Sequence, residues 1–462
     1  MRRVHIVSIA LLLLSCALLI APALAQVSFP VTLPDQVAEG REVAITVQAC
    51  IGEDQEEARS QFDAQLARFT EAYPNVTVTR TQYCFSPETF AALVAGNQLS
   101  TVFGVPLTEP QRLIREGIAA NLTAAFEQFG INDVFNSSVL ALVSDASGEI
   151  YGFPEFAYAQ GIEYNLQMLA DAGFDAPPQT WDELGEMARA LVSQPDVAGF
   201  AMNMQGGGGG WHWTNLAYGF GATDLIVQNE DGTYTANFGE GAAVDAMQFI
   251  YDLKWNGDVL PYDLASNPTL LLAADQAALA MSPGDGLGWL RVNMPDVDLT
   301  KYGYAAVPAG PDGNRYSLTG GSAQMINAAA SADEQEAAVV FQIWRQLSEQ
   351  EFAPSREIYH TTQAGAGAPV LKIFAGEYQE AVDTFDQQYI AMPVENYAAF
   401  NDAVASGEIT LVPEPPAAQD FYVAIADVLT TVLTDQNADV AALMAQANAS
   451  FQTGILDQMN AS

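Results

Sequence analysis

The chain has 462 residues, of which 50% are hydrophobic and only 16% are charged, so it is long enough to fold around two cores rather than one. Its 56 acidic residues far outnumber its 16 basic residues, which gives a formal net charge of −40 at pH 7. A field of this sign repels nucleic acids and anionic lipid surfaces, and nucleic-acid binding is therefore excluded as a function.

The first 25 residues have the three parts of a secretory signal peptide. Arg2 and Arg3 are followed by an apolar stretch over residues 4–20 and by small residues up to Ala25. We expect cleavage after Ala25 and export of the mature chain. The alternatives are a lipid anchor on Cys16, whose preceding residues loosely resemble a lipobox, and retention of the segment as a membrane helix. No later stretch has the roughly 18 apolar residues that a membrane-spanning helix needs.

Residues 26–41 are predicted to form a short polar tail, and the first folded unit follows them. Strand-like runs precede Cys50 and Cys84, and the segment between them has apolar residues such as Phe62 and Leu66 at helical spacing. This order predicts a β–α–β unit with parallel strands. Adjacent strands lie about 4.8 Å apart, so we expect a Cys50–Cys84 disulfide in an exported protein. The alternative is a pair of buried free thiols.

Apolar runs and helix-period segments alternate along the rest of the chain, as is typical of an α/β fold. Ser86 and Pro87 mark one predicted helix start. Thr180 and Ser331 are each followed three residues later by a glutamate, which predicts two more helices that begin with a capping box. The sequence contains no internal repeat.

Several motifs occur in the order and at the spacing of one known family. They begin with Y-G-F-P at Tyr151, continue with E-Y-N at Glu163 and reach W-D-E-L at Trp181. Two further motifs, F-I-Y-D-L and G-G-S, follow in the expected order. Over roughly residues 42–460 the sequence resembles extracellular (periplasmic) solute-binding proteins of the maltose-binding-protein class, family 1 of the sugar-binding proteins of ABC transporters.

The resemblance implies an α/β fold of two lobes with a hinged cleft between them, the type II arrangement of periplasmic binding proteins. The chain crosses between the lobes more than once, so each lobe is discontinuous in sequence. We expect residues 42–153 and 309–370 in the N-terminal lobe, and residues 154–308 and 371–462 in the C-terminal lobe. One departure follows Asn97, where relatives often have Pro-Asp and this chain continues Q-L-S-T.

Proteins bind sugars with rings that stack on C–H faces and with carboxylates or amides that bond to hydroxyls. After Asn203 the chain has a run of five glycines followed by W-H-W, and the resemblance implies that this segment contacts ligand. Trp211 and Trp213 are therefore predicted to be ligand-binding rings, with His212 as a further candidate. The alternative is that both tryptophans pack inside a lobe and that the histidine lies on the surface or only supports the site.

Four more residues are candidate ligand contacts, because they lie in or near segments that correspond to ligand-binding segments of the family. Trp289 is similar to the aromatic contact of the family's G-x-W loop, and Asp285 stands in the same loop. Tyr422 is similar to the last stacking aromatic of the family, with core packing as its alternative. Tyr158 lies in the predicted hinge and offers another ring.

Acidic and glycine residues complete the predicted site. Glu53 and Asp54 follow the first strand, at the edge of the sheet where the cleft-facing loops of α/β lobes lie. Glu109 follows the third strand-like run. Gly320 and Gly321 would let backbone N–H groups approach the ligand, or would relieve a tight turn.

The sequence contains none of the common enzyme motifs. The glycine run lacks the Gly-Lys-Ser/Thr ending of a phosphate loop, and there is no Gly-x-Ser-x-Gly elbow. Only His212 and His360 remain once the leader is removed, too few for a histidine-rich metal site or a conventional catalytic triad. We therefore expect no cofactor, no metal and no enzymatic activity.

The sequence predicts an extracytoplasmic solute-binding component of an ABC importer that closes around a mono- or oligosaccharide or a related polyol. Its partners would be this small-molecule ligand and the permease subunits of the importer, and we expect a monomer. Two alternatives stay open at this point. One is a secreted glycoside-active enzyme, and the other is the same fold with glycerol phosphate or another small solute as its ligand.

Overall fold

The described part of the computed structural model covers Phe29 and nearly all of the chain after it, namely residues 31–53, 55–192, 197–229, 231–261, 267–362 and 367–461. The predicted signal peptide, the alternative anchor Cys16 and the candidate Asp54 lie outside these residues. Within these ranges no helix is long and apolar enough to span a membrane.

The strands of the described residues form one mixed nine-stranded sheet and a separate two-stranded hairpin. In chain order the strands are β1 (Val43–Ala49), β2 (Val76–Gln82), β3 (Val102–Pro106), β4 (Gly152–Asn165), β5 (Ala198–Ala201), β6 (Ile226–Gln228), β7 (Tyr234–Ala236), β8 (Ala277–Pro283), β9 (Tyr302–Ala306), β10 (Arg315–Ile326) and β11 (Ile409–Val412). The alternation of strands with helices agrees with the predicted α/β fold.

Helices follow most of the strands along the chain. In chain order they are α1 (Glu56–Ala72), α2 (Pro87–Ala95), α3 (Pro110–Arg115), α4 (Thr123–Phe129), α5 (Ser137–Leu140), α6 (Leu166–Asp171), α7 (Trp181–Leu191), α8 (Gly206–Gly219), α9 (Ala242–Trp255), α10 (Pro268–Ala273), α11 (Asp285–Asn293), α12 (Ala332–Leu347), α13 (Glu349–Thr362), α14 (Gly376–Asp386), α15 (Ala398–Ala405), α16 (Ala418–Thr434), α17 (Val440–Phe451) and α18 (Asp457–Asn460). Short 3-10 turns join several of them.

The sheet has the strand order β2-β1-β3-β10-β4-β8-β5. Its two long central strands, β4 and β10, pair with strands from both ends of the sheet. Residues 315–318 of β10 pair with β11, and residues 322–326 pair with β3. Residues 152–159 of β4 pair with β10, whereas residues 160–165 pair with β8 and β9. We call the end with β1, β2 and β3 the N-terminal lobe, and the end with β5, β8, β9 and β11 the C-terminal lobe.

Each lobe has a hydrophobic core of its own. Phe69 and Trp344 lie in the core of the N-terminal lobe, and Trp181 and Phe421 lie in that of the C-terminal lobe. The position of α14 differs from the predicted boundary at residue 370. Its apolar residues, including Tyr378, pack into the N-terminal core, although α14 lies after that boundary in the sequence.

The first β–α–β unit has the predicted parallel pairing. Val43 of β1 is opposite Val76 of β2, and the register continues to Ala49 opposite Gln82. The chain leaves both strands at the same edge of the sheet, so the cysteines that follow them meet. Cys50 and Cys84 form a disulfide, with their Cα atoms 4.5 Å apart.

The two predicted capping signals mark real helix starts. At α12 the Ser331 hydroxyl accepts the Glu334 N–H, and the Glu334 carboxylate accepts the Ser331 N–H, which completes the capping box. At α7 the Thr180 hydroxyl accepts the Glu183 N–H. Here the Glu183 carboxylate accepts the N–H of Gln179 instead, one residue before the cap. Both predicted helices are confirmed.

Candidate functional site

A pocket of about 350 Å³ lies in the C-terminal lobe, where the parallel strands β5 and β8 end. Ligands of α/β folds commonly bind at the carboxyl ends of parallel strands. Its wall combines rings, an amide and a carboxyl, from Asn203, Trp211, His212, Ser282, Asp285 and Trp289. Among the described residues no group of three or more His, Cys, Asp or Glu side chains is placed to hold a metal ion.

The glycine run forms the first turn of α8, and close packing requires two of its glycines. A Cβ on Gly210 would stand 2.1 Å from the carbonyl oxygen of Tyr422, and a Cβ on Gly209 would stand 2.6 Å from the carbonyl carbon of Met204. Contacts this short do not occur for real side chains. The glycines therefore allow α16 to lie directly against the start of α8, next to Trp211.

Tyr158 connects the crossing strand β4 to this wall. Its ring is perpendicular to that of Trp211, with the centroids 6.1 Å apart, which is a favourable edge-to-face geometry. Burial raises the pKa of Tyr158 well above its usual value, and the charges of Glu414 and Asp285 raise it further, so the hydroxyl keeps its proton. Gly320 makes room for the phenol, since a Cβ there would stand 2.3 Å from the Tyr158 hydroxyl.

Glu414 is a half-buried carboxyl that pairs with a tyrosine of α16. The Tyr422 hydroxyl donates to Oε2 of Glu414 at 2.7 Å. Burial raises the pKa of Glu414 to about 7, the Tyr422 hydrogen bond lowers it, and the charge of Glu109 raises it. Tyr422 itself is 3% exposed and belongs to the C-terminal core, which is the alternative that the sequence left open, and its contact with a ligand stays a prediction.

Helix α11 supplies a carboxyl and an accessible ring. Asp285 is its first residue, and burial raises the pKa of this carboxyl to about 6. Its Oδ1 atom is buried and has no hydrogen-bond partner among the described residues. Trp289 lies one turn further along and is 48% exposed, so its indole is open to a ligand.

Another carboxyl lies beneath the floor of the pocket. Glu163 of β4 is fully buried, and burial raises its pKa to about 8 although the hydroxyls of Thr269 and Ser282 lower it. A Cβ on Gly286 would stand 2.8 Å from Oε1 of Glu163. With no exposed surface, the Glu163 carboxyl is not open to a ligand in this pocket.

Two residues of the W-H-W motif are packed inside the C-terminal lobe. Nδ1 of His212 accepts the backbone N–H of Asn203 at 2.9 Å, and burial lowers the pKa of this imidazole to about 3, so the ring is neutral. Trp213 has no exposed surface, and its ring lies 6.3 Å from that of Phe421 in the core. Trp213 is thus corrected to a core residue, because α8 turns it away from the face that holds Trp211.

The candidate site residues of the N-terminal lobe differ in burial and in their contacts. Glu109 is 8% exposed and accepts two hydrogen bonds from Arg112, at 2.6 and 3.0 Å. The negative charge of Glu109 raises the pKa of Glu414 in the other lobe. Glu53 is exposed on a turn, and no described contact joins it to the pocket. Gly321 has φ +142°, and a Cβ there would stand 2.0 Å from the Phe156 carbonyl oxygen, so this glycine serves the strand crossing.

Stability should depend on pH through the buried carboxyls. The pKa values of Glu414 and Glu163, about 7 and 8, are raised above their usual value, so the folded chain holds protons that the unfolded chain releases. The free energy of unfolding should therefore decrease as the pH rises from 6.5 to 8.5. His212 contributes with the opposite sign, but only below about pH 6.5, where the unfolded imidazole takes up a proton.

Thermal unfolding at several pH values checks this expectation. The Glu163→Gln variant keeps a neutral polar group and should show a flatter decrease of Tm between pH 6.5 and 8.5. Glu53→Gln, at an exposed position, serves as the matched control and should keep the wild-type slope. A wild-type Tm that rises over this range would contradict the assignment.

The family model for bacterial extracellular solute-binding proteins matches residues 52–344, more than half of the chain. The chain belongs to this family. The matched range includes both crossing strands and the walls of the pocket that α8 and α11 provide. The family that the motifs at Tyr151, Glu163 and Trp181 suggested is thereby confirmed.

Curated relatives of this solute-binding protein include a probable ABC transporter-binding protein of Deinococcus radiodurans, 26% identical over 229 residues, which are 47% of this chain and 52% of the relative. Another is the sn-glycerol-3-phosphate-binding periplasmic protein UgpB of Pectobacterium atrosepticum, 25% identical over 175 residues, 36% of this chain and 38% of the relative. The chain thus spans about half or less of the length of these relatives.

Solved structures of similar fold cover nearly the whole chain. Maltose-bound MalE3 of T. maritima has a TM-score of 0.65 at 20% identity, over 88% of this chain and 99% of that one. UgpB of Mycobacterium tuberculosis in complex with glycerophosphocholine has a TM-score of 0.67 at 18% identity, over 90% and 99%. This likeness confirms the predicted α/β fold of two lobes.

Sequence reasoning missed one carboxyl of the pocket region in this solute-binding protein. Glu414 is one of 56 acidic residues, and nothing in its spacing marks it. The available signal is its place between Pro413 and Pro415, directly after β11, where a rigid turn holds a side chain at the edge of the sheet.

Proposed function

We propose that this solute-binding protein captures a neutral carbohydrate or related polyol between its two lobes and delivers it to an ABC importer. The observation that carries the proposal is the position of Tyr158. It lies on a strand that crosses between the lobes, and its ring packs edge to face against Trp211. The negative charges of Glu414 and Asp285 are close enough to raise its pKa. Rings beside carboxyls are what a sugar's C–H faces and hydroxyls require.

The chemistry of the pocket favours an uncharged ligand. Its lining has one carboxyl, two hydroxyls and two amides, and no arginine or lysine among the described residues. The UgpB relatives, whose names and titles give sn-glycerol 3-phosphate and glycerophosphocholine as ligands, make a phosphate ester the second candidate. Proteins commonly hold a phosphate group with arginine or lysine, and the described residues of this lining include neither.

A glycoside-active enzyme is the less favoured alternative. Retaining and inverting glycosidases need two carboxyls that face each other across the scissile bond. Glu163, with the highest pKa of the three raised carboxyls, is fully buried under Gly286 and has no path to a substrate. The relatives are binding components of transporters by name, and binding without turnover is the function we propose.

Hinge motion at the crossing strands would couple binding to transport. β4 and β10 each change pairing partners part-way along their length, so a small rotation there moves one lobe against the other. Ligand contacts that exist only when both lobes meet would favour the closed form. We propose that residues 42–153 with 309–370 and residues 154–308 with 371–462 are the approximate lobes, with α14 reassigned to the first.

Family membership indicates an extracellular or periplasmic location. We propose that the chain acts there as a monomer, released by cleavage after Ala25 or anchored through Cys16. In the closed form it would dock on the permease subunits of the importer. Globomycin treatment of producing cells separates the two modes of export, since only a lipid-anchored precursor accumulates.

A thermal-shift screen tests the ligand class. We expect a neutral sugar or polyol to raise the Tm, because a ligand at 100 times its Kd adds about 2.7 kcal/mol to the free energy of unfolding. Glycerol 3-phosphate is the comparison and should have a smaller effect at equal concentration. Stabilisation by the phosphate ester alone, or release of reducing ends from an oligosaccharide, would overturn the proposal.

Small-angle X-ray scattering tests the hinge. With a saturating amount of the best ligand from the screen, the radius of gyration should decrease because the lobes approach each other. Bovine serum albumin with the same sugar controls for contrast effects. Identical curves with and without the ligand would contradict closure while leaving binding intact.

A further inference from the structure

Cations are scarce in this chain, and most of those that the structure describes form ion pairs with carboxylates. The exceptions among the described residues are Arg59, Arg115, Arg189 and Arg291. Arg59 on α1 and Arg189 on α7 have no described contact with the opposite lobe. Arg115 and Arg291, by contrast, each contact a residue of the opposite lobe. These two arginines therefore connect the lobes without using a carboxylate.

Arg115 makes the first of these contacts, from the C-terminal end of α3. Leu113 of the same helix shares a hydrophobic cluster with Phe103 of β3, which places α3 in the N-terminal lobe. The guanidinium carbon of Arg115 lies 5.6 Å from the centroid of the Tyr234 ring, within the range of a cation–π contact. Tyr234 lies on β7 and belongs to the core of the C-terminal lobe. The contact therefore joins the two lobes.

The Tyr234 ring is held in place by the C-terminal segment of the chain. Its backbone N–H donates to Oδ1 of Asn460 at 2.7 Å, and its carbonyl oxygen accepts from Nδ2 of Asn460 at 2.9 Å and from Nε2 of Gln452 at 3.3 Å. The Tyr234 hydroxyl is buried and has no hydrogen-bond partner among the described residues. The face of the ring, and not the hydroxyl, is thus what Tyr234 offers to Arg115.

Arg291 makes the second contact between the lobes. It lies on α11, and Leu290 of this helix shares a hydrophobic cluster with residues of β8 and β9 in the C-terminal lobe. Nη2 of Arg291 donates to the carbonyl oxygen of His360 at 3.0 Å. His360 is in the last turn of α13, and Phe352 of that helix packs into the N-terminal core. A cation is favourable at this place, because the carbonyls at a helix C-terminus carry a partial negative charge.

His360 is itself fixed by its neighbours. Its Nε2 atom lies 2.8 Å from Oδ1 of Asp386, and its ring stacks on that of Tyr389 with the centroids 4.5 Å apart. Asp386 also accepts from Nε of Arg356 at 3.0 Å. The end of α13 therefore offers Arg291 an acceptor in a defined position, as β7 offers Arg115 a ring in a defined position.

We call the two contacts, Arg115 with Tyr234 and Arg291 with His360, the interlobe clasp. None of these four residues lines the pocket of the C-terminal lobe. The partners of each contact belong to different lobes, so a rotation at the crossing strands β4 and β10 would separate them. The interlobe clasp is therefore sensitive to the arrangement of the lobes and does not need to touch a ligand in that pocket.

We propose that Arg115 and Arg291 are positioning residues that stabilise the closed arrangement of the lobes and thereby slow the release of the ligand. The proposal rests on the proposed function, because closure holds a ligand only if one binds between the lobes. The interlobe clasp acts on the equilibrium between open and closed forms. Its removal should therefore raise the dissociation rate of the ligand and leave the association rate unchanged.

Variants of the full mature chain test the proposal. Arg115→Gln and Arg291→Gln each remove one contact, and their combination removes both. The combination of Arg59→Gln and Arg189→Gln is the matched control, because it changes the net charge equally and removes no described contact between the lobes. Calorimetric titrations with D-glucose, maltose, cellobiose and ribitol first identify a probe that binds the wild type. Stopped-flow tryptophan fluorescence with this probe then measures both rates.

We expect dissociation to be about threefold faster in Arg115→Gln and in Arg291→Gln, as one weak contact is lost in each. The variant that combines them should release the probe about tenfold faster, which corresponds to about 1.4 kcal/mol. The Tm of the ligand-free protein should stay nearly unchanged, and the control should release the probe at the wild-type rate.

Two results would overturn the interlobe clasp while leaving the proposed function intact. One is a wild-type dissociation rate in the combined Arg115 and Arg291 variant, and the other is an equal acceleration in the control. In both cases the wild type still binds the probe. If none of the four probes bound the wild type, the proposed function would fail, and the interlobe clasp would fail with it.

Discussion

Replacing Trp213 with alanine should lower the free energy of unfolding by about 3–5 kcal/mol, as expected when a fully buried aromatic side chain leaves a cavity. The indole has no exposed surface and lies among core residues of the C-terminal lobe, next to Phe421. Urea denaturation followed by circular dichroism measures the effect.

Trp289→Ala is the matched control for this prediction, since the same side chain is removed from a position that is 48% exposed. Its free energy of unfolding should stay within about 0.5 kcal/mol of the wild type. Equal losses in the two variants would mean that Trp289 also packs into a core. A loss below about 1 kcal/mol for Trp213→Ala would return Trp213 to the list of ligand contacts.

The double variant Trp211→Ala and Trp289→Ala should bind the carbohydrate at least about tenfold more weakly, which corresponds to about 1.4 kcal/mol or more. Both indoles line the pocket of the C-terminal lobe, and only they offer ring faces there among the described residues apart from His212. Isothermal titration calorimetry with the ligand found by thermal shift measures the change.

Trp255→Phe is a suitable control for the double variant, because Trp255 packs on α9 and donates to the carbonyl oxygen of Val432, away from the pocket lining. Its affinity should equal that of the wild type. Unaltered affinity in the double variant would show that neither indole contacts the ligand. The site would then have to be sought around Tyr158 and Glu414.

Local signals in the sequence were sufficient for much of the fold. The capping residues Thr180 and Ser331 mark helix starts because their hydroxyls satisfy backbone N–H groups within a few residues, which is chemistry that the sequence contains in full. The parallel pairing of β1 and β2 followed from the helix between them, since parallel neighbours need a crossover.

The site was harder to predict because side chains close in sequence have different surroundings. Trp211 and Trp213 are two residues apart, so on α8 they point about 200° apart, and only the position of α16 decides which one is covered. That position depends on the contact of Gly210 with Tyr422, which are far apart in the sequence. Spacing alone could not select the correct ring.

The lobe boundary at residue 370 shows a similar limit. The sequence indicates that the chain crosses there, but not that α14 would pack Tyr378 and Phe385 into the N-terminal core. Apolar residues at helical spacing tell that a helix has a buried face. They do not tell which of two available cores it covers, because both accept the same kinds of side chain.

The start of α8 has a consequence for how this protein can evolve. Glycine is about 1 kcal/mol less favourable than alanine in a helix interior, yet alanine cannot replace Gly209 or Gly210, whose Cβ atoms would collide with the backbone of Met204 and Tyr422. Only at Gly207 is there open space without a left-handed backbone. Substitutions that would stabilise the helix are therefore blocked at Gly209 and Gly210, and the conformation of the segment that carries Trp211 is set by the chain packed against it rather than by its own helix propensity.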